Sequence, residues 1–273
     1  MDATRSDKAK RLRALHERPG AFVIANAWDA GSARLLAALG FEAIATSSGA
    51  GAGVLGRRDG QMSRDEALAQ ARAIVAATEL PVSADLEKGY GDAPEVVAET
   101  IRLAAAAGLA GGSIEDATGD PTRPLYDIGA ATERIAAAVE AARAAQPFLL
   151  TARAENFLRG KPDLDDTIAR LVAYERAGAD VLFAPGLPDL AAVRTVCAAL
   201  GKPVNFMVGI QGRSFSVAEL EAAGVKRISL ATSLYRAAMS GLAEAAREVR
   251  EHGSFGYLER TMSTAELNRF MGD

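Results

Sequence analysis

Leu80-Pro-Val-Ser-Ala-Asp85-Leu-Glu87-Lys-Gly-Tyr-Gly91, a helical stretch near 93–107, and Gly108-Leu-Ala-Gly-Gly-Ser-Ile-Glu115-Asp116 read as one strand–helix–strand unit. In each flank a short apolar run stops on carboxylates. Two successive strands joined by a helix run parallel. Carboxylates at the end of a buried strand are costly unless something pairs with them. A hard divalent cation, which prefers oxygen ligands, would do so.

The same unit recurs along the chain. Gly40, Gly108, Gly178 and Gly224 each follow an alanine-rich helical stretch and precede a short apolar run. Glycine takes the left-handed cap of a helix at no steric cost, so each marks a helix-to-strand connection. Three further strands open at Pro81, Pro147 and Pro203, and another is Ala21-Phe-Val-Ile-Ala25. Strands are predicted to begin near 21, 42, 81, 110, 147, 180, 203 and 226. Helices are predicted near 30–38, 63–78, 93–107, 129–145, 164–177, 189–200, 216–222 and 233–250. Ser63-Arg-Asp-Glu66 is a capping box, and Asp189 and Ser216 are helix caps.

This pattern predicts a (β/α)8 TIM-type α/β barrel. The runner-up, an open doubly wound sheet, would need a Gly-x-Gly-x-x-Gly turn. Gly49-Ala-Gly51-Ala-Gly53 has the wrong spacing, and a charged loop, not a helix, is expected to follow it. The expected organisation is one domain over 1–273: an extra N-terminal helix within 1–19, a barrel over about 20–250 and a helical C-terminal extension over about 251–273.

Composition narrows the function. The chain has 273 residues, 49% of them apolar, a net charge of −4 and one cysteine, Cys197. The interspersed charge argues against nucleic acid and against a basic membrane face. One cysteine allows neither a disulfide framework nor a cysteine zinc site. The polar start and the lack of a long apolar run predict a soluble cytoplasmic protein with no membrane segment.

Barrel enzymes carry their chemistry at the C-terminal ends of the strands. Here those ends are Asn26-Ala-Trp28-Asp29, Thr46-Ser47-Ser48-Gly49, Asp85-Leu-Glu87, Glu115-Asp116, Arg153-Ala-Glu155-Asn156, Pro185-Gly186 and Asn205. The ring holds no histidine and no cysteine; His16 and His252 lie in the outer segments. Oxygen ligands and an arginine suit Mg²⁺ or Mn²⁺ holding an anionic substrate, with Asp85, Glu87 and Glu115 as the metal set. Arg153 is either a salt bridge to Glu115 or Asp85 or a planar fork on a substrate carboxylate; the two readings can coexist. Ser47, Ser48 and Gly49 are either turn residues or donors to a carboxylate. Trp28 either packs in the core or walls the substrate pocket. Asp59 alone reads as a solvated charge, and Asp116 as a loop cap or a partner to the ligands. Asn205 belongs to the substrate-facing ring.

Ser47-Ser48-Gly49, Gly56-Arg-Arg-Asp59, Asp85-Leu-Glu87-Lys-Gly-Tyr-Gly91, Ile114-Glu115-Asp116 and Thr151-Ala-Arg153 together resemble the isocitrate lyase / phosphoenolpyruvate mutase superfamily, in order and spacing over about residues 15–250. The resemblance implies a barrel whose last helix is exchanged between paired subunits, usually in tetramers. It implies Mg²⁺ near Asp85, Glu87 and Glu115, an oxo-acid with its carboxylate at Ser47 and Ser48, substrate contact by Arg153, and Asp59 beside the reacting group.

The chain departs from that pattern at one loop. Isocitrate and methylisocitrate lyases carry Lys-Lys-Cys-Gly after the fourth strand. Here the loop is Ala117-Thr-Gly-Asp-Pro-Thr-Arg-Pro-Leu-Tyr126, without cysteine. It is expected to be non-helical, to overhang the metal and to offer Arg123 to a second acidic group of the substrate. Lys88 beside the acidic cluster is unexpected for either branch. The functional expectation is an enzyme, a Mg²⁺-dependent carbon–carbon lyase or decarboxylase acting on a small 2-oxo or 2-hydroxy acid through an enolate, with Asp59, Arg153 and Glu115 as catalytic groups. The alternatives are P–C bond chemistry of the mutase or phosphonopyruvate hydrolase type and a carboxylate-binding barrel without turnover. The expected partners are a small carboxylate and further copies of the chain, as a dimer of dimers, with neither nucleic acid nor membrane.

Overall fold

Glycines at helix ends set the rhythm of the chain. Gly40, Gly108, Gly178 and Gly224 have φ of 89°, 91°, 103° and 95°, the left-handed region that other residues avoid. Each releases the chain from a helix into a strand. In the computed structural model, which describes residues 3–145 and 147–271, eight strands result: β1 (Phe22–Ala27), β2 (Ile44–Thr46), β3 (Val82–Asp85), β4 (Gly111–Glu115), β5 (Leu149–Arg153), β6 (Val181–Phe183), β7 (Val204–Met207) and β8 (Arg227–Ser229). They form a closed barrel in sequence order. Neighbours are parallel, and β8 returns to β1 through Phe22↔Arg227.

The helices are α1 (Ala3–Glu17), α2 (Ala30–Ala38), α3 (Ser48–Val54), α4 (Arg64–Ala77), α5 (Pro94–Ala106), α6 (Ile128–Ala145), α7 (Leu164–Arg176), α8 (Leu190–Ala199), α9 (Val217–Ala222), α10 (Ser233–His252) and α11 (Thr264–Phe270). The capping boxes at Ser63 and Ser216 and the cap at Asp189 form as expected. A 3-10 turn over Gly256–Arg260 leads to α11, so the C-terminal extension is helical.

One expectation needs correction. The glycine-rich run after β2, read as loop, is the helix α3, with the Ser47 hydroxyl accepting from Ala50 N–H at its start. Packing overrides poor helix propensity there. A Cβ on Gly51 would lie 2.6 Å from the Gln70 side chain, and one on Gly53 would lie 2.7 Å from Tyr235. Glycine lets α3 lie flat against α4 and α10.

The main core lies between strands and helices, with Ile44, Leu86, Ile114, Leu150 and Phe206 buried in it. A second cluster closes the lower end: Leu12 and Leu15 of α1 meet Phe22, Ile24 and Leu149. His16 stacks edge-on to Phe22 at 4.9 Å and bonds the Leu12 carbonyl. Burial, then Arg227, pushes its pKa down to about 3, so it is neutral and belongs to this plug. Higher up, Ala45, Ser83 and Ser113 are small and leave the barrel open toward its C-terminal end. Among the described residues no helix is long and apolar enough to cross a membrane.

Candidate active site

The strand ends converge on a cavity of about 570 Å³ at the C-terminal face. Ser47, Ser48, Gly49, Asp59, Asp85, Glu87, Glu115, Arg153 and Asn205 all line it. Nine of the residues singled out in the sequence therefore meet in one place. Trp28 and Arg123 do not line it. Trp28 packs edge-on against Tyr235 at 5.4 Å, and its carbonyl accepts from Gln70 at 2.7 Å.

The centre is an ion-pair array. Arg153 donates from Nη1 to Asp85 Oδ1 at 2.9 Å and from Nε and Nη2 to Glu155 Oε1 at 3.0 and 2.7 Å. Its Nη2 lies 3.2 Å from Glu115 Oε2, and its guanidinium sits over the Phe183 ring at 5.1 Å. Burial opposes its charge, yet Glu155, Glu115 and Asp85 hold it protonated above the ordinary arginine range. Both readings of Arg153 meet here: the salt bridge is formed, and the residue still lines the cavity. Arg159, from the loop after β5, donates to Glu115 Oε1 at 3.0 Å and lies 3.4 Å from Glu155 Oε2. Glu155 Oε2 is buried and finds no hydrogen bond of good geometry.

β2 and β3 build the opposite wall. Ser48 gives both its N–H, at 3.2 Å, and its hydroxyl, at 2.7 Å, to Asp85 Oδ2. The same hydroxyl is 3.4 Å from Asp59 Oδ1. The Ser48 donors, expected to face a substrate carboxylate, are thus engaged by Asp85, whereas the Ser47 hydroxyl accepts from Ala50 N–H. Gly49 N–H belongs to the first turn of α3, where N–H groups have no intrahelical partner. Asp85 N–H is fixed by Thr46 Oγ1 at 3.0 Å. Glu87 has φ of 49°, which costs a non-glycine residue about 1–3 kcal/mol and marks a position held by its surroundings. Its Oε1 is buried without a partner. Burial first, then Asp85 and Asp59, pushes the Glu87 pKa up to about 7. Glu115 is also pushed up, by burial and then by the Glu155 charge.

Five carboxylates therefore line one cavity, Asp59, Asp85, Glu87, Glu115 and Glu155. The set is all oxygen, and the orphaned Glu87 Oε1 asks for a cation, so a hard divalent ion fits the chemistry. Among the described residues no three acidic, imidazole or thiolate groups form a direct ligand cluster. Asp85 and Glu115 already hold Arg153, so an ion there would reach its carboxylates in part through water.

Asp116 lies beneath the array. Its Oδ1 accepts from Glu155 N–H at 2.8 Å, and its Oδ2 accepts from Tyr174 Oη at 2.6 Å and Arg170 Nη1 at 3.1 Å. It fixes the start of the Glu155 segment.

The loop after β4 is non-helical as expected, but none of its residues from Ala117 to Tyr126 lines the cavity. Ala117 and Leu125 form an antiparallel bridge. Lys88 Nζ donates to the Thr118 carbonyl and to Asp92 Oδ1, both at 2.7 Å. Arg170 Nη1 bonds the Tyr126 carbonyl at 2.8 Å, and Arg134 stacks on the Tyr126 ring at 4.3 Å. Lys88 is thereby explained as a tie for this loop, and Arg123 is exposed. Cys197 is also distant from the cavity, half-buried on α8, with its thiol pushed up to about 11 by burial.

The sequence reading missed Arg159, Arg227 and Arg236, all of which line the cavity, and gave Glu155 no role. The spacing of Glu155 and Arg159, four apart, was the available signal.

The chain matches the family model described as phosphoenolpyruvate phosphomutase over residues 12–250. A solved structure from Burkholderia cenocepacia J2315, whose lyase or mutase activity is a provisional assignment, is 54% identical, with a TM-score of 0.96 over 98% of this chain and 97% of that one. The structure of 2,3-dimethylmalate lyase, described as a member of the PEP mutase/isocitrate lyase superfamily, is 28% identical, with a TM-score of 0.85 over 99% of this chain and 95% of its own. An oxaloacetate decarboxylase of Pseudomonas paraeruginosa (strain DSM 24068 / PA7) is 30% identical over 94% of this chain and 89% of the relative.

Proposed function

The chain belongs to the phosphoenolpyruvate mutase/isocitrate lyase superfamily, and from that premise we propose that it is a divalent-metal-dependent lyase for a small 2-oxo or 2-hydroxy acid. The reaction is C–C cleavage, either decarboxylation of an oxaloacetate-like acid or retro-aldol cleavage of a 2-hydroxy diacid. The observation that carries this reading is the ring of five carboxylates around Arg153, in which Glu87 Oε1 is buried with neither a hydrogen bond nor an ion pair and Glu155 Oε2 is buried with only the 3.4 Å ion pair to Arg159. The names of two relatives, a decarboxylase and a dimethylmalate lyase, support the substrate class.

Asp85, Glu87 and Glu115 would hold the ion, Mg²⁺ or Mn²⁺. When bound, it supplies positive charge facing the oxygen on which an enolate develops. Arg153 adds a second positive charge to the same wall and orients Asp85, Glu115 and Glu155 by its fork. Gly49 N–H and Asn205 border the space for the substrate carboxylate. Asp59, exposed on the rim and 3.4 Å from the Ser48 hydroxyl, takes or gives the proton at the reacting carbon or hydroxyl, since the chain brings no cysteine there. P–C chemistry is the second reading, favoured by the phosphomutase model that matches the chain.

We extend the proposal to assembly. α10 has no buried residue, and Met239 and Leu242 on it are exposed. Such a helix at the end of a barrel suits exchange between paired subunits in a dimer of dimers.

The test is a product assay over oxaloacetate, malate-type diacids, phosphoenolpyruvate and phosphonopyruvate, with Mg²⁺ and with chelator. Pyruvate or a shorter acid released only with the metal supports the lyase. Phosphate or phosphonate products support the second reading. Binding without any product makes the barrel a carboxylate-binding protein.

A further inference from the structure

Four guanidinium groups line the cavity, those of Arg153, Arg159, Arg227 and Arg236. Three are accounted for. Arg153 and Arg159 pair with carboxylates. Arg236 is exposed on α10 and bonds the Gly209 carbonyl at 3.1 Å. Arg227 differs. It opens β8, its side chain enters the barrel, and it is 6% exposed. Its bonds run to neutral oxygens: Nε to Asn205 Oδ1 at 2.8 Å and Nη2 to Thr151 Oγ1 at 3.0 Å. No acidic side chain among the described residues pairs with it. The fork has further N–H donors beyond these bonds.

A buried cation without a counter-ion is costly, and burial alone pulls the Arg227 pKa down to about 9. Space lies beside it. Ala45, Ser83, Ser113 and Ser229 line the same cavity with small or hydroxyl side chains, so the opening runs from the acidic rim down into the barrel. Thr151 precedes Arg153 by two residues on β5, which places the Arg227 fork about 6–7 Å below the rim. A short diacid spans that distance. At the rim, by contrast, the Arg153 fork is already filled by the protein's own carboxylates.

We propose that Arg227 is the recognition site for a second carboxylate of the substrate, which passes below the rim and lies on the free edge of the Arg227 fork. Asn205 and Thr151 hold the guanidinium plane so that its remaining donors face the cavity. The ligand class is a short dicarboxylate, and Arg227 is a specificity residue: a diacid supplies the missing counter-charge, while a monoacid leaves Arg227 as it stands in the free protein. The inference rests on the reading that a small oxo- or hydroxy-acid is held at the rim.

Lactate and malate test it, since they are 2-hydroxy acids that differ by one carboxylate. Calorimetry on the full chain with Mg²⁺ should show malate binding at least about tenfold tighter than lactate. Arg227→Met, of similar length without charge, should remove that preference and leave lactate binding within about twofold. Arg227→Lys keeps the charge without the fork and should retain part of the preference; it also serves if Arg227→Met fails to fold. A folded Arg227→Met with the full malate preference would make Arg227 a packing residue and overturn the subsite. So would a wild-type protein that binds both acids equally, which leaves the rim reading intact. If the wild type binds neither acid, the rim reading fails and the subsite falls with it.

Discussion

Arg153 and Glu155, two residues apart at the end of β5, meet through two nitrogens on one oxygen: Nε and Nη2 of the arginine lie 3.0 and 2.7 Å from Glu155 Oε1. Glu155 has no solvent exposure, so the pair is a buried one. Asp116 fixes the Glu155 backbone from below. The arginine is thus anchored on one acid while its other edge reaches Asp85 and Glu115.

Arg153→Met should lower stability by about 3–5 kcal/mol in urea melts, because it leaves buried carboxylates without their cation. Arg153→Lys keeps the charge and should fold better, yet lose about 2–4 kcal/mol of transition-state stabilisation through the lost fork. A lysine variant with full catalytic efficiency would reduce Arg153 to a structural ion pair.

Glu87 should make stability depend on pH in chelator. Its folded pKa is about 7, against an ordinary 4.5, so ionisation costs the folded state. That cost is absent below about pH 4.5, where both states are protonated, and complete above about pH 7. Glu87→Gln should therefore stabilise the protein at pH 8 by roughly 1–2 kcal/mol, allowing for the side chain's partial exposure, and change nothing near pH 4. Added Mg²⁺ should then raise the melting temperature of the wild type more than that of the variant. Equal responses would remove Glu87 from the cation's neighbourhood.

The bare α10 face gives a third expectation. Light scattering should show the wild type as an oligomer, and Leu242→Glu, placing a charge where Leu242 is 61% exposed, should shift it to smaller species without unfolding the barrel. An unshifted mass would place the contact elsewhere.

Much of the barrel was legible because its punctuation is steric. Gly108 and Gly178 adopt left-handed φ where a helix gives way to a strand, and such sites announce themselves in a sequence. The acidic strand ends were legible because buried carboxylates are rare enough to be noticed. α3 was hidden, since its glycines look like a loop until Gln70 and Tyr235 are seen to crowd them. Arg227 was hidden too. Its strand spans only Arg227–Ser229, too short for alternation to show which side chain turns inward. Arg123 was misplaced because the bonds holding its loop come from Lys88 and Arg170, which are distant in sequence.

The tethering of residues 117–126 bears on where protons come from. To swing across the cavity this segment would have to give up the bonds from Lys88 to Thr118, from Arg170 to Tyr126 and from Tyr126 Oη to Asp92. It is better understood as masonry than as a door. If the cavity then stays in exchange with the medium, a carbanion formed in the proposed reaction would draw its hydrogen from bulk water. Turnover in heavy water would write that history into the product as a deuterium label.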